Sequence, residues 1–248
     1  MPNNNSEKIN NQPDLSIVVL CYKSGKTIIP YVERMEKELL EGGMESYELV
    51  LVGNYLTGTD DSTPTIIHEL AKNNPKIVSV TLEKKGMLGW DVIEGFKVTR
   101  GKAIAFIDGD GQMPSADIVR LYRVLKSGEF DLVKTFRKTR LDGAYRRFIS
   151  NWYNFVFHIL FPGASFRDVN AKPKLMTREA YNKMDLSCDG WFIDGEIMLE
   201  SMRHDMNVAE VPTVFHKNEW RGSLVKVWTI FEFLQQLAKY RIKYWFNK

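Results

Sequence analysis

Two carboxylates, Asp108 and Asp110, leave the apolar run Ala103–Ile107 together in the segment AIAFIDGDGQMP. Acids that emerge side by side from a buried segment repel one another unless a cation sits between them. Oxygen donors of this kind suit Mg²⁺ or Mn²⁺, and Gln112 adds an amide oxygen. The interleaved Gly109 and Gly111 let the backbone turn tightly around such an ion. The plain alternative is an Asp- and Gly-rich turn that merely ends a strand, but a turn alone has no use for both acids. A calcium loop of the EF-hand kind is excluded, because its sixth position, counted from Asp108, is Met113 where glycine is required.

Other phosphate chemistries draw on similar residues. A P-loop needs G-x-x-x-x-G-K-[ST], and LCYKSGKT supplies Gly25, Lys26 and Thr27 but has Leu20 at the first glycine. A haloacid-dehalogenase-type phosphatase also places D-x-D after an apolar strand, with the first Asp as nucleophile, yet Gln112 and the distance from the N-terminus depart from that pattern. Further along, Lys134, Arg137, Lys138, Arg140, Arg146 and Arg147 face a single acid, Asp142. That cluster points to a local anionic partner. The net charge of the 248-residue chain is only +3, too little for a general attraction to nucleic acid.

These residues need elements to position them. A chain with 44% hydrophobic and 26% charged residues has the composition of an ordinary folded domain. Its two cysteines, Cys21 and Cys188, are far apart and form neither a disulfide framework nor a CxxC metal site. The opening MPNNNSEKINNQPD lacks the apolar centre of a signal peptide, and no stretch is apolar enough to span a bilayer, so the reading is cytoplasmic. Leu15–Leu20 reads as a strand and Thr27–Glu41 as a helix, with apolar spacing at Ile28, Tyr31, Val32, Met35 and Leu39. The alternation continues with strand Glu48–Val52, helix Thr65–Lys72, strand Ile77–Leu82, helix Leu88–Val98, strand Ala103–Ile107, helix Ala116–Lys126 and strand Asp131–Thr135. This rhythm predicts an α/β fold: a mostly parallel, Rossmann-like sheet with helices on both faces in a single domain, binding ligands at the carboxyl ends of its strands. The rhythm fades after about residue 136. The expected organisation is a polar arm over 1–14, a main domain over 15–223 with a nucleotide-sugar and metal half (15–135) and an acceptor-side half (136–223), and a basic amphipathic helix over 224–248.

With LSIVVLCYKSGKTI, YELVLVGN, KKGMLGWDVIEGF and AIAFIDGDGQMP in this order, the chain resembles glycosyltransferase family 2 with the GT-A fold. Within that family it looks most like the dolichyl- or polyprenyl-phosphate sugar synthases. The resemblance implies that Leu20, Tyr22 and Ser24 line the nucleotide site, where only the tyrosine of a P-T-Y-N-E-like motif survives. It places Asn54 where the family usually has two acids, and Lys84, Lys85 and Gly89 near the donor diphosphate. RRFISNWYNF resembles the acceptor segment R-x-x-S and implies that Arg147 and Ser150 approach an acceptor phosphate. FRDVNAKPKLM resembles a D-x-x-x-G-F-R segment, with Asp168 in register and Lys172, Pro173 and Lys174 in place of Gly-Phe-Arg. Asp194 and Glu196 match acids beside the acceptor, and Arg221 matches a basic loop that closes over the diphosphate. His216 reads either as a further metal ligand or as a surface or packing residue.

The function implied is a metal-dependent, inverting transfer of a sugar from a nucleoside-diphosphate-sugar. The catalytic set is Asp108, Asp110, Asp194 and Arg221, and the Mg²⁺ or Mn²⁺ ligands are Asp108, Asp110 and Gln112. The acceptor stays open between a lipid phosphate, already an anion, and a glycan hydroxyl, for which Asp194 must act as base. Alternatives are a P-loop-like nucleotide hydrolase and a catalytically silent sugar-nucleotide-binding protein. A peripheral membrane contact is expected from the apolar stripe Val227, Trp228, Phe231, Leu234, Ala238, Ile242 and Trp245 with its terminal lysines, together with Trp152, Tyr153, Phe155, Phe157 and Phe161. The competing reading is that an amphipathic terminal helix covers the core of its own domain.

Overall fold

The computed structural model describes residues 12–217 and 235–242. Strands β1 (Leu15–Leu20), β2 (Tyr47–Val52), β3 (Ile77–Val80) and β4 (Ala103–Asp108) alternate with helices α1 (Ile28–Glu41), α2 (Thr63–Asn73) and α3 (Leu88–Lys97). Helix α4 (Asp117–Leu125) and strand β5 (Leu132–Arg140) follow, as the apolar spacing predicts. The second half then adds α5 (Ala144–Leu160), β6 (Lys174–Thr177), α6 (Arg178–Lys183), α7 (Ile193–Arg203) and β7 (Val208–Phe215). One seven-stranded sheet holds them in the order β3-β2-β1-β4-β6-β5-β7. Strand β6 runs antiparallel to both its neighbours, while the other strands share one direction.

Strands β1 and β2 are buried on both faces, which is why they read as unbroken apolar runs. On one face Leu15, Ile17 and Val19 pack with Ile28, Tyr31, Met35 and Leu39 of α1, Ile67 of α2, and Ile118 and Leu121 of α4. On the other, Val18, Val50 and Val52 pack with Phe96 of α3, Phe157 of α5 and Phe192 beside α7. Gly95 lets α3 lie close to the sheet, since a Cβ there would stand 2.5 Å from Val18 Cγ1. The one polar break in β1, Ser16, donates to Glu48 Oε1 of β2 at 2.6 Å, and Arg100 closes on the same carboxylate.

Because β6 is antiparallel, its amino end lies toward the carboxyl end of β4: Lys174 pairs with Phe106 on that side and with Lys134 of β5 on the other. The segment 168–173 is thereby delivered to the ligand-binding edge of the sheet. The start of α3 docks on segment 188–190, where Gly89 N donates to Gly190 O at 2.8 Å. A Cβ on Gly89 would fall 2.0 Å from the Cys188 carbonyl oxygen, so Gly89→Ala forces backbone apart. The expected cost is about 1–3 kcal/mol, read as a Tm several degrees lower in thermal unfolding.

Candidate active site

Strand β4 ends on Asp108, whose neighbour in register is Leu20, and Gly109 N donates to Leu20 O at 2.9 Å. Tyr31 of α1 donates its hydroxyl to Asp108 O at 3.2 Å and fixes the strand end from below. Beyond it Asp110 Oδ1 accepts from Gln112 N at 3.0 Å, with Gly111 at a φ of +72° closing the turn. Gln112 is buried, its side-chain Nε2 donating to His216 O at 2.9 Å while its backbone carbonyl accepts from His216 N at 2.8 Å. This pairing brings the end of β7 to the acidic turn, so His216 stands beside it by its backbone.

Asp108 is 29% exposed and faces a lysine that the sequence marks only as a departure. Lys172 Nζ lies 3.4 Å from Asp108 Oδ2 and 3.0 Å from Asp194 Oδ2. Lys174 Nζ pairs with Asp194 Oδ1 and donates to Ala171 O at 2.9 Å. Burial pushes the Asp194 carboxyl up, but the ammonium groups of Lys172 and Lys174 outweigh it and hold the group below the ordinary carboxylate range. Lys172 is held above its usual range despite burial by Asp108 and Asp194, whereas burial brings Lys174 down to about 8 against the pull of Asp194. Among the described residues no three His, Cys, Asp or Glu side chains form a metal cluster. Two carboxylates and an amide oxygen nevertheless fit a hard divalent ion that completes its shell from phosphate oxygens and water, as Mg²⁺ does.

Beside this turn a second cluster gathers residues from the first three strand ends. Lys84 pairs with Asp91 of α3 and sits 4.8 Å from the ring centroid of Tyr22. Asn54, at the end of β2, donates to Asp91 Oδ1 at 2.9 Å and accepts from Leu82 N at 2.8 Å. Tyr22 and Asn54 are thus brought together, but the Asn54 amide ties β2, β3 and α3 to one another. Gly89 likewise serves the docking of α3, and Lys85 is exposed. Ser24 O accepts from Thr27 N and Thr27 Oγ1 where Gly25–Thr27 form a short 3₁₀ turn. Gly25 N is directed to Thr63 Oγ1 at 2.8 Å and Lys26 is exposed, which removes the P-loop reading.

On the other side, Arg137 of β5 grips Asp168 with Nε and Nη2, each at 2.6 Å, and donates to Ser150 Oγ at 3.1 Å. Burial pushes Asp168 up, yet Arg137 and then Lys134 hold it far below the ordinary range. Arg147 is exposed on α5 and donates to Arg140 O at 3.2 Å. Helix α5 divides the expected aromatic set: Tyr153, Phe157 and Phe161 are core, while Trp152 and Phe155 join Tyr145, Phe148 and Ile159 on the exposed side. Glu196 faces away from the acidic turn, accepting from Ser187 N, Cys188 N and, at 2.7 Å, the Tyr240 hydroxyl. In the helical segment 235–242, Leu237 and Tyr240 are buried, with the Tyr240 ring 4.7 Å from that of Phe192. The described part of the terminal helix packs on its own domain through Leu237 and Tyr240, whereas Ala238 and Ile242, the described members of the expected stripe, are exposed. Arg221 and the stripe from Val227 to Leu234, like Trp245, lie outside the described residues.

The mostly parallel seven-stranded sheet with helices on both faces is a GT-A-type α/β fold. The chain belongs to glycosyltransferase family 2, whose description, "Glycosyl transferase family 2", it matches over residues 16–198. It is 27% identical over 222 residues to the glycosyltransferase AglD of Haloferax volcanii, with 86% of this chain and 35% of that protein covered. It is 26% identical over 227 residues to a dolichyl-phosphate beta-glucosyltransferase of Trichomonas vaginalis, covering 86% of this chain and 66% of the other. The chain thus spans about a third to two thirds of the length of these curated relatives. Among solved structures, glucosyl-3-phosphoglycerate synthase from Mycobacterium tuberculosis, in complex with UDP, superposes with a TM-score of 0.69 at 16% identity, covering 94% of this chain and 80% of that one.

Motif reading marked Lys172 and Lys174 only as replacements, and Arg137 only as one of a basic cluster meeting an anionic partner. For Lys174, in PKLM, and for its neighbour Lys134, in LVKTF, the available signal was a lysine inside otherwise apolar strand sequence, where a charge persists only with a partner. Arg137→Met leaves Asp168 buried with its main partner gone, and the expected loss is about 3–5 kcal/mol at pH 7. A depressed carboxyl stabilises the fold above its unfolded pKa, about 3.9, and this contribution is lost as pH falls through the lower folded value. The difference between wild type and Arg137→Met in urea unfolding is therefore expected to narrow below about pH 4.

Proposed function

We propose that the protein transfers a sugar from a nucleoside-diphosphate-sugar to a polyprenyl phosphate. The observation that carries this reading is the pair Asp108 and Asp194 facing one another across Lys172: one acid at the strand mouth beside the nucleotide cluster, the other on the side that leads to Arg137 and α5. The M. tuberculosis structure holds UDP, and a related structure of the same enzyme also holds Mn²⁺, which supports a nucleotide donor and a divalent ion here. Asp108, Asp110 and Gln112 would hold that ion, which when bound neutralises the diphosphate as it leaves. Tyr22 offers a face for the base, and Lys84 is positioned by Asp91 next to it. The acceptor approaches from the Asp194 side, opposite the leaving diphosphate, which implies inversion at the anomeric carbon.

The state of Asp194 bears on the acceptor. A carboxylate paired with two ammonium groups and held below its ordinary range is a poor proton acceptor. A hydroxyl acceptor would need such a base, whereas a phosphate arrives as the nucleophile already charged. The dolichyl-phosphate specificity named for the T. vaginalis relative points the same way. The apolar side of α5, with Phe148 and Phe155 more than 60% exposed beside Arg146 and Arg147, gives a lipid-linked substrate a surface to meet. No helix among the described residues is long and apolar enough to cross a membrane, and contact at the bilayer surface is the reading proposed.

Asp108→Ala and Asp110→Asn are expected to lower sugar transfer to a polyprenyl phosphate at least about a hundredfold while leaving thermal unfolding nearly unchanged. Full transfer in EDTA, or in either variant, would overturn the metal role. In liposome co-sedimentation the intact protein is expected to pellet with anionic vesicles at low salt and to release at high salt. Phe148→Ser combined with Phe155→Ser is expected to keep most of it in the supernatant, and wild-type protein that never pellets would favour a soluble acceptor.

A further inference from the structure

Lys172 is the described residue whose ammonium touches both a proposed metal ligand and a second acid. Its backbone has little freedom. Asp168 is clamped by Arg137, the Ala171 carbonyl takes the Lys174 ammonium at 2.9 Å, and the Lys172 carbonyl accepts from Thr135 Oγ1 at 2.7 Å. The side chain is 7% exposed, so its charge is directed to a fixed point between Asp108 Oδ2 and Asp194 Oδ2. Asp194 is the nearer partner, at 3.0 Å against 3.4 Å, and it is buried and pinned from its other oxygen by Lys174. Asp108 is the more accessible of the two acids, at 29% exposed against 3%.

We propose that Lys172 is a tethered counter-cation that competes with a divalent ion for Asp108 and so sets how tightly the acidic turn binds metal. Resting on the metal-dependent reading above, the proposal adds a residue that lowers the affinity of the nucleotide-free protein. The physical basis is direct. A positive charge within 3.4 Å of a carboxylate satisfies that carboxylate and repels an incoming divalent ion. When Asp108 turns to such an ion, Lys172 keeps Asp194, so the displaced charge is not stranded. Lys172 is thus a positioning residue for the metal, with a readout independent of turnover.

The test is Mn²⁺ binding to the intact, nucleotide-free protein, followed by the loss of the free-ion electron paramagnetic resonance signal. Lys172→Met is expected to bind Mn²⁺ about fivefold more tightly than wild type, and Lys172→Arg, which keeps the charge, to stay within about twofold of wild type. Thermal unfolding of each variant checks that it is folded. Should Lys172→Met unfold, Lys172→Gln, which keeps a polar group for Asp194, carries the same expectation. Equal or weaker Mn²⁺ binding in the folded charge-removing variant, while wild type binds the ion, overturns the role of Lys172 alone. Absence of Mn²⁺ binding in wild type and every variant overturns the metal-dependent reading together with it.

Discussion

Charge neutralisation along the carboxyl edge of the sheet is the constraint on which the rest of this structure depends. Lys134, Lys172, Lys174 and Arg137 are matched there by Glu210, Asp194, Asp108 and Asp168, nearly all removed from water. Removing Arg137, Asp168 or Asp194 strands a charge in a medium that solvates it poorly. The geometry of segment 168–174 follows from this requirement, because its acids and bases are placed by their partners on β4, β5 and α7. The acidic turn after β4 inherits its surroundings from the same network, through Lys172, which reaches out to Asp108.

The first half of the fold was legible because parallel strands buried on both faces leave unbroken apolar runs, and amphipathic helices separate them at regular intervals. LSIVVL and YELVLV could hardly be anything else in a chain of this composition. The second half was less legible for identifiable reasons. Strand β6 has four residues and begins on a buried lysine; β7 is only partly buried, so its pattern is blurred. Helix α7 is buried nearly all round although Asp194, Glu196 and Glu200 lie on it, which defeats any reading by hydrophobic stripe. Its polar groups are accommodated by partners far away in sequence, which a single chain of letters does not display.

The same distinction runs through the site. The Asp108–Gln112 station was visible because two acids and two glycines at a strand end are a local feature. Tyr22 and Asn54 were named one by one, and the structure shows why they belong together: Lys84 and Asp91 stand between them. Asn54, read as standing where the family usually has two acids, has its amide taken up in joining two strand ends to α3. Glu196, weighed beside Asp194, faces the other way and receives Tyr240, because residues two apart on a helix point in different directions.

The arrangement of positions 172, 174 and 194 has a consequence for descent. Losing Asp194 leaves the buried Lys174 without an acid, whereas losing either lysine leaves the other paired with Asp194, so a lineage can exchange the lysines singly but the acid only after Lys174. The acid and Lys174 therefore form one heritable character. A change at position 172 is thereby open to descent before any change at position 194.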